Sequence, residues 1–90
     1  MVAHIKDLEA ALKALSNRRR IGIVQFLRKE KEASVSDIAE KISLSFRSTS
    51  RHLAVLLRAN ILEREQRGAQ MFYSISNELP EAAKKIISIF

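Results

Sequence analysis

Ninety residues with a formal charge of +6, a pI near 10.2 and no cysteine describe one small domain with a marginal core that oligomerisation would supplement, and they exclude a disulfide scaffold and thiolate metal sites. No apolar run approaches the roughly 20 residues that span a bilayer, and the opening MVAHIKDLEA lacks a signal-peptide core, so the chain reads as soluble and cytoplasmic, without a membrane partner. Residues 18–67 hold 12 Lys or Arg against 6 acids while both ends are neutral, which points to one surface meeting a polyanion and apolar ends doing something else.

Ile5, Leu8, Ala11, Leu12 and Leu15 recur at three and four residues, the period of one helical face, and predict a first helix over about 3–15. Ser16 and Asn17 are both good N-caps for a second helix, RRRIGIVQFLRKEK, with Ile21, Val24, Phe26 and Leu27 turned inward. Ala33-Ser34-Val35 reads as a short extended link, and Ser36 with Asp37 as the start of a third helix that buries Ile38, Ala39 and Ile42. The link Ser43-Leu44-Ser45 allows only a sharp turn; Ser45 then caps a fourth helix whose apolar side is Leu53, Leu56 and Leu57, with Thr49 one turn earlier. Two helices joined in this way predict a helix-turn-helix over about 36–59.

After Asn60 the period changes. Ile61 and Leu62 lead into a strand to about Gln66, Arg67-Gly68-Ala69 turn, and Met71 to Ser76 alternate back, which predicts a hairpin over about 61–76 with a basic tip. Pro80 suits the first turn of a last helix, about 78–90, carrying Leu79, Ala82, Ala83, Ile86, Ile87 and Phe90 as a broad apolar stripe. The order of elements, with a short strand before the third helix, is that of a winged helix-turn-helix, mainly α with a small β-hairpin, in a single domain over 1–90.

Projected at 100° per residue, Arg47, Ser48, Arg51 and Arg58 lie opposite Leu53 and Leu56, with Ser50 and His52 on the flanks and no acid between Glu40 and Glu63. The second helix of a helix-turn-helix lies in the DNA major groove; arginine can pair bidentately with guanine, and Ser, Thr and His can reach bases or phosphates. Arg47, Ser48, Thr49, Ser50, Arg51, His52 and Arg58 are therefore the candidates for double-stranded DNA contact, with Arg64, Arg67 and Gln70 on the hairpin able to reach backbone or minor groove. Arg18, Arg19 and Arg20 oppose the positive end of their own helix; a phosphate would relieve this, and for Arg20 an acid such as Asp37 or Glu40 would serve as well. No catalytic arrangement and no metal cluster can be assembled from the spacing of His4, His52 and the acids, so neither an enzyme nor a cofactor is expected.

The terminal helices offer Ile5, Leu8, Leu12, Leu15, Ala83, Ile86, Ile87 and Phe90 as a dimer interface, exposed apolar stripes being typical of one. The alternative is that the last helix folds back on its own domain. A symmetric dimer would set two recognition helices on a near-palindromic operator.

Four segments resemble the ArsR-type winged helix regulators. "ALSNRRRIGIV" is similar to the opening of that family's second helix, "ASVSDIAEKISLS" to the first helix of the reading motif, "STSRHLAVLLRANIL" to the recognition helix with its Ser50-Arg51-His52-Leu53 core, and "EREQRGAQMFYSIS" to the wing. The resemblance covers the chain from Leu12 onward and implies an operator-binding homodimer, mostly a repressor, that releases DNA when a signal binds. Where metal-sensing members carry Cys-Val-Cys this chain has Ser34-Val35-Ser36, and Ala82 to Ile89 lack the Asp and His ligands of other members. The resemblance therefore implies a regulator without the metal switch and with an unknown effector. Phe46 and Arg47 stand where a Gln-Ser pair is common, so the operator sequence is open. A winged helix can also serve as a protein-interaction module within a larger assembly, and Phe46 is the residue that would suit that role.

Overall fold

A computed structural model describes residues 5–90; His4, and the start of the first predicted helix, lie outside the described residues. The elements run α1 (Ile5–Leu15), α2 (Arg18–Glu30), β1 (Glu32–Ser34), α3 (Val35–Ile42), α4 (Phe46–Arg58), β2 (Leu62–Arg67), β3 (Gln70–Ile75) and α5 (Glu81–Ile87). This is a winged helix-turn-helix.

Local chemistry sets the boundaries. Asn17 caps α2, its Oδ1 accepting from the amides of Arg19 at 3.0 Å and Arg20 at 3.1 Å, and so supplies two of the orphan donors of the first turn. The helix stops at Lys31, whose φ of 76° breaks the helical path. The third helix starts earlier than Ser36: Ser34 is the cap, its Oγ accepting from the Asp37 amide at 3.2 Å. Both serines are good caps by type, and Ser34 takes the role because its backbone is still extended as the last residue of β1.

The turn between α3 and α4 is closed by Ser43 in the left-handed region, φ 56°, and by Ser45, whose Oγ accepts from the Ser48 amide at 3.1 Å. Leu44 is half-buried between them. Asn60, φ 60°, redirects the chain after α4 and brings Ile61, fully buried, into the core.

The predicted hairpin is the outer part of a three-stranded antiparallel sheet, order β1-β3-β2, in which Ala33 pairs with Tyr73 and Arg64 also faces Tyr73 from the other side. The turn is shorter than expected: Arg67 pairs with Gln70, leaving Gly68 and Ala69 as a two-residue loop. Gly68 has φ +60°, which such a loop commonly asks of its first residue.

The core gathers Ile23, Val24 and Leu27 of α2, Ile38 of α3, Leu53 and Leu56 of α4, and Ile61. α2 stands at the centre, in contact with α1, α3, α4 and the sheet, and α1 lies against α5. Three residues predicted for a dimer interface belong to this core instead: Leu15 and Ile87 are each 5% exposed and Ala83 is fully buried. Because α1 and α5 pack on each other, the inner edge of each stripe is consumed within one chain. Pro80 is the N-cap of a short α5 rather than a residue inside it.

Candidate nucleic-acid interface

The fourth helix presents two unlike sides. Thr49, Leu53 and Leu56 are completely buried, while Phe46, Arg47, Arg51 and Arg58 are exposed and Ser48, Ser50 and His52 are half-buried. The helix therefore brings three cations and a polar flank to one outward face, held by the capped turn at Ser45. Arg47 and Arg58 are separated by roughly 16 Å along the axis, at about 1.5 Å per residue. They reach different parts of any ligand that runs along the helix. Arg58 in the last turn also complements the negative end of its own helix.

Thr49 must be removed from the contact face. Its side chain is sealed in the core, and its Oγ1 has no hydrogen-bond partner among the described residues. The projected angle already placed it with Leu53 and Leu56.

The arginines of α2 resolve the puzzle of like charges at a helix start. Arg20 pairs with neither Asp37 nor Glu40. Its Nε donates to the Ala14 carbonyl at 2.6 Å and its Nη2 to the Lys13 carbonyl at 3.1 Å, so that it caps the C-terminus of α1. Arg19 donates to the Ile42 carbonyl at the end of α3 at 2.7 Å, and Arg28 to the Ile87 carbonyl at the end of α5 at 2.9 Å. Three arginines on one helix thus meet the negative ends of three neighbouring helices, and these charge-assisted bonds offset the unfavourable position of two of them. Sequence spacing missed this, because the partners are backbone carbonyls and leave no mark in residue type.

Arg20 also reaches α4. Its Nη1 lies 3.2 Å from His52 Nδ1. Guanidinium only donates, so Nδ1 accepts, the ring is neutral, and the proton sits on Nε2 as a donor. Burial first, then the charges of Arg20 and Arg19, hold the imidazole pKa below its ordinary value.

On the wing, Arg64 is exposed and makes no ion pair among the described residues. Arg67 is differently placed. It pairs with Glu32 of β1 and with Glu65 at 2.8 Å, and its guanidinium lies 4.8 Å from the centre of the Phe72 ring. Arg67 in turn holds the Glu32 carboxyl below the usual carboxylate range. The pair ties the hairpin to β1, so of the two predicted wing cations Arg64 is the one whose charge is unpaired among the described residues, while the exposed Gln70 stands at the tip opposite Arg67.

No group of three or more His, Cys, Asp or Glu side chains able to hold a metal ion comes together among the described residues. At the position of the metal-sensing triplet, Ser34 is buried and its hydroxyl is engaged as the cap of α3. Hydroxyls used in this way do not fit a thiolate site. None of the described helices is long and apolar enough to cross a membrane.

A sequence-family profile described as a helix-turn-helix domain matches residues 15–65. The chain is 30% identical over 84 residues to the transcriptional repressor PagR of Bacillus anthracis, spanning 93% of this chain and 84% of that one. It is 28% identical over 74 residues to the arsenical resistance operon repressor of Bacillus subtilis, spanning 82% of this chain and 70% of that one. Among solved structures it superposes on HlyU from Vibrio cholerae with a TM-score of 0.83 at 28% identity, covering 99% of this chain and 92% of that one. At 24% identity, where only the fold is comparable, it superposes with a TM-score of 0.81 on a homodimeric winged helix-turn-helix DNA-binding domain from Mycobacterium bovis, covering 97% of this chain and 77% of that one.

Proposed function

Because the chain belongs to the ArsR-type winged helix-turn-helix transcriptional regulators, a family of DNA-binding proteins and not of enzymes, we propose that it is a sequence-specific repressor that binds a near-palindromic operator as a homodimer and has lost the metal switch of its metal-sensing relatives. One observation carries the DNA reading: α4 exposes Arg47, Arg51 and Arg58 on the face opposite its buried stripe, with no acid on the helix to neutralise them. Arg47 and Arg51, in the first two turns, read base edges, and Ser48, Ser50 and the Nε2–H of His52 bond to bases or phosphates. Arg58, Arg64 and Gln70 meet the backbone on either side.

The dimer reading is supported by apolar groups left over after the core is filled. Ile5 is 75%, Leu12 51% and Ile89 82% exposed, with Leu8, Ile86 and Phe90 half-buried beside them. Paired across a two-fold axis, this patch sets two α4 helices about one helical turn of DNA apart, roughly 34 Å. Repression is the output of the PagR and arsenical resistance relatives, whereas a HlyU relative is named an activator.

Duplex DNA titrated at several salt concentrations tests the reading. Affinity should fall with a log-log slope of about −0.9 per phosphate neutralised. Weak, salt-independent binding would favour the rival reading, a protein-interaction module, for which the exposed Phe46 is the one supporting observation.

A further inference from the structure

Four large apolar side chains stand exposed among the described residues: Ile5, Leu12, Ile89 and Phe46. The first three lie at the terminal helices, in the patch assigned to the dimer. Phe46 is elsewhere. It is the first residue of α4, 60% exposed, beside Arg47 and one turn before Ser50.

We propose that Phe46 is a base-reading residue whose ring packs on the C5-methyl group of a thymine in the major groove, next to the bases contacted by Arg47 and Arg51. This rests on α4 being the recognition helix. The N-terminal residues of such a helix are those brought to base edges. A phenyl ring has no donor or acceptor for a phosphate or a base edge, and the thymine methyl is the one apolar group that the major groove presents. Among residues 46–52, Phe46 is the only apolar side chain, and Thr49, whose methyl could have shared the role, is buried. A protein partner is disfavoured by charge: the exposed groups that follow on this helix are Arg47 and Arg51, whereas an apolar anchor for a protein sits in an apolar patch. Each half-site should then contain one thymine that is recognised by its methyl group alone.

Deoxyuridine, which lacks only that methyl, isolates the contact. Duplexes recovered by the purified protein from a random-sequence pool give the site, and the site is then synthesised with each thymine replaced singly by deoxyuridine. Fluorescence anisotropy compares the wild-type protein with Phe46→Ala. At one thymine per half-site the replacement should weaken wild-type binding about fourfold, the effect of one buried methyl group, or about fifteenfold when both half-sites are changed. Phe46→Ala should bind more weakly, be indifferent to the same replacement, and melt at the wild-type temperature because the ring is exposed. A site without an invariant thymine, wild-type indifference at every thymine, or a penalty that persists in Phe46→Ala would overturn the assignment while leaving the DNA-binding reading intact. Recovery of no sequence above background would overturn both.

Discussion

Arg20 Nη1 stands 3.2 Å from His52 Nδ1, so a single guanidinium joins the end of α1, through the carbonyls of Lys13 and Ala14, to the helix that carries the exposed arginines Arg47, Arg51 and Arg58. Protonation of His52 would place a second cation against Arg20 and remove the acceptor. The folded-state pKa is depressed from 6.5 by burial, Arg20 and Arg19. The neutral ring therefore contributes stability that is present above about pH 6.5 and is lost as pH falls through the lower folded-state value. Thermal melts between pH 7.5 and 4.5 should show this loss, His52→Gln should reduce it, and an NMR titration of the ring should give a midpoint below 6.5. A midpoint above 6.5 would show that the bond to Arg20 does not hold in solution.

Thr49→Val tests the removal of Thr49 from the contact face. The Oγ1 is buried without a partner among the described residues, and replacing it with a methyl group of the same shape should raise stability by about 1 kcal/mol, or roughly 4–8 °C in Tm for a domain of this size. DNA affinity should not change. Weaker DNA binding at unchanged stability would return Thr49 to the interface.

What could be read from the sequence was what side chains determine locally. Ser45, the apolar positions Leu53 and Leu56, and the basic face opposite them give α4 its boundaries and its two sides without reference to any other element. The short strand before the third helix was legible as an extended link, but its pairing with β3 across some 40 positions, from Glu32 to Ser74, was not, because three residues carry no alternation from which a partner or register could be read. The exchange of Ser36 for Ser34 as a cap has a similar cause, since both residues have the same chemistry and only the strand before Val35 decides between them. Arg19, Arg20 and Arg28 bind backbone carbonyls at the ends of other helices, which residue types do not encode. The stripe through Leu15, Ala83 and Ile87 was legible as apolar, but periodicity alone does not tell whether an apolar stripe is covered by the same chain or by another.

Leu12→Asp separates the two possibilities for what remains of that stripe. Leu12 is half-exposed on α1, so a carboxylate there faces water in a monomer and apolar groups in a dimer. The variant should elute as a monomer by light scattering, stay folded by circular dichroism, and bind an operator only at the level of one half-site. Deleting residues from Leu79 onward would be a poorer test, because Ala83 and Ile87 are core residues. A dimeric Leu12→Asp protein with unchanged affinity would place the interface elsewhere.

Zinc at micromolar concentration should change neither the melting temperature nor the affinity for DNA, since Ser34 and Ser36 replace thiolates and Ser34 is engaged as a cap. Zinc-dependent release of DNA would require a site that includes residues outside those described, His4 among them.

Comparison of Arg51→Ala with the wild-type protein on a recovered operator and on a scrambled duplex of the same length, at matched salt, tests the central claim most directly. If Arg51 reads a base, the substitution should cost about 1–3 kcal/mol on the operator and much less on the scrambled duplex, and sequence preference should relax. Equal losses on both duplexes would mean that α4 meets only the backbone and does not read sequence through this residue.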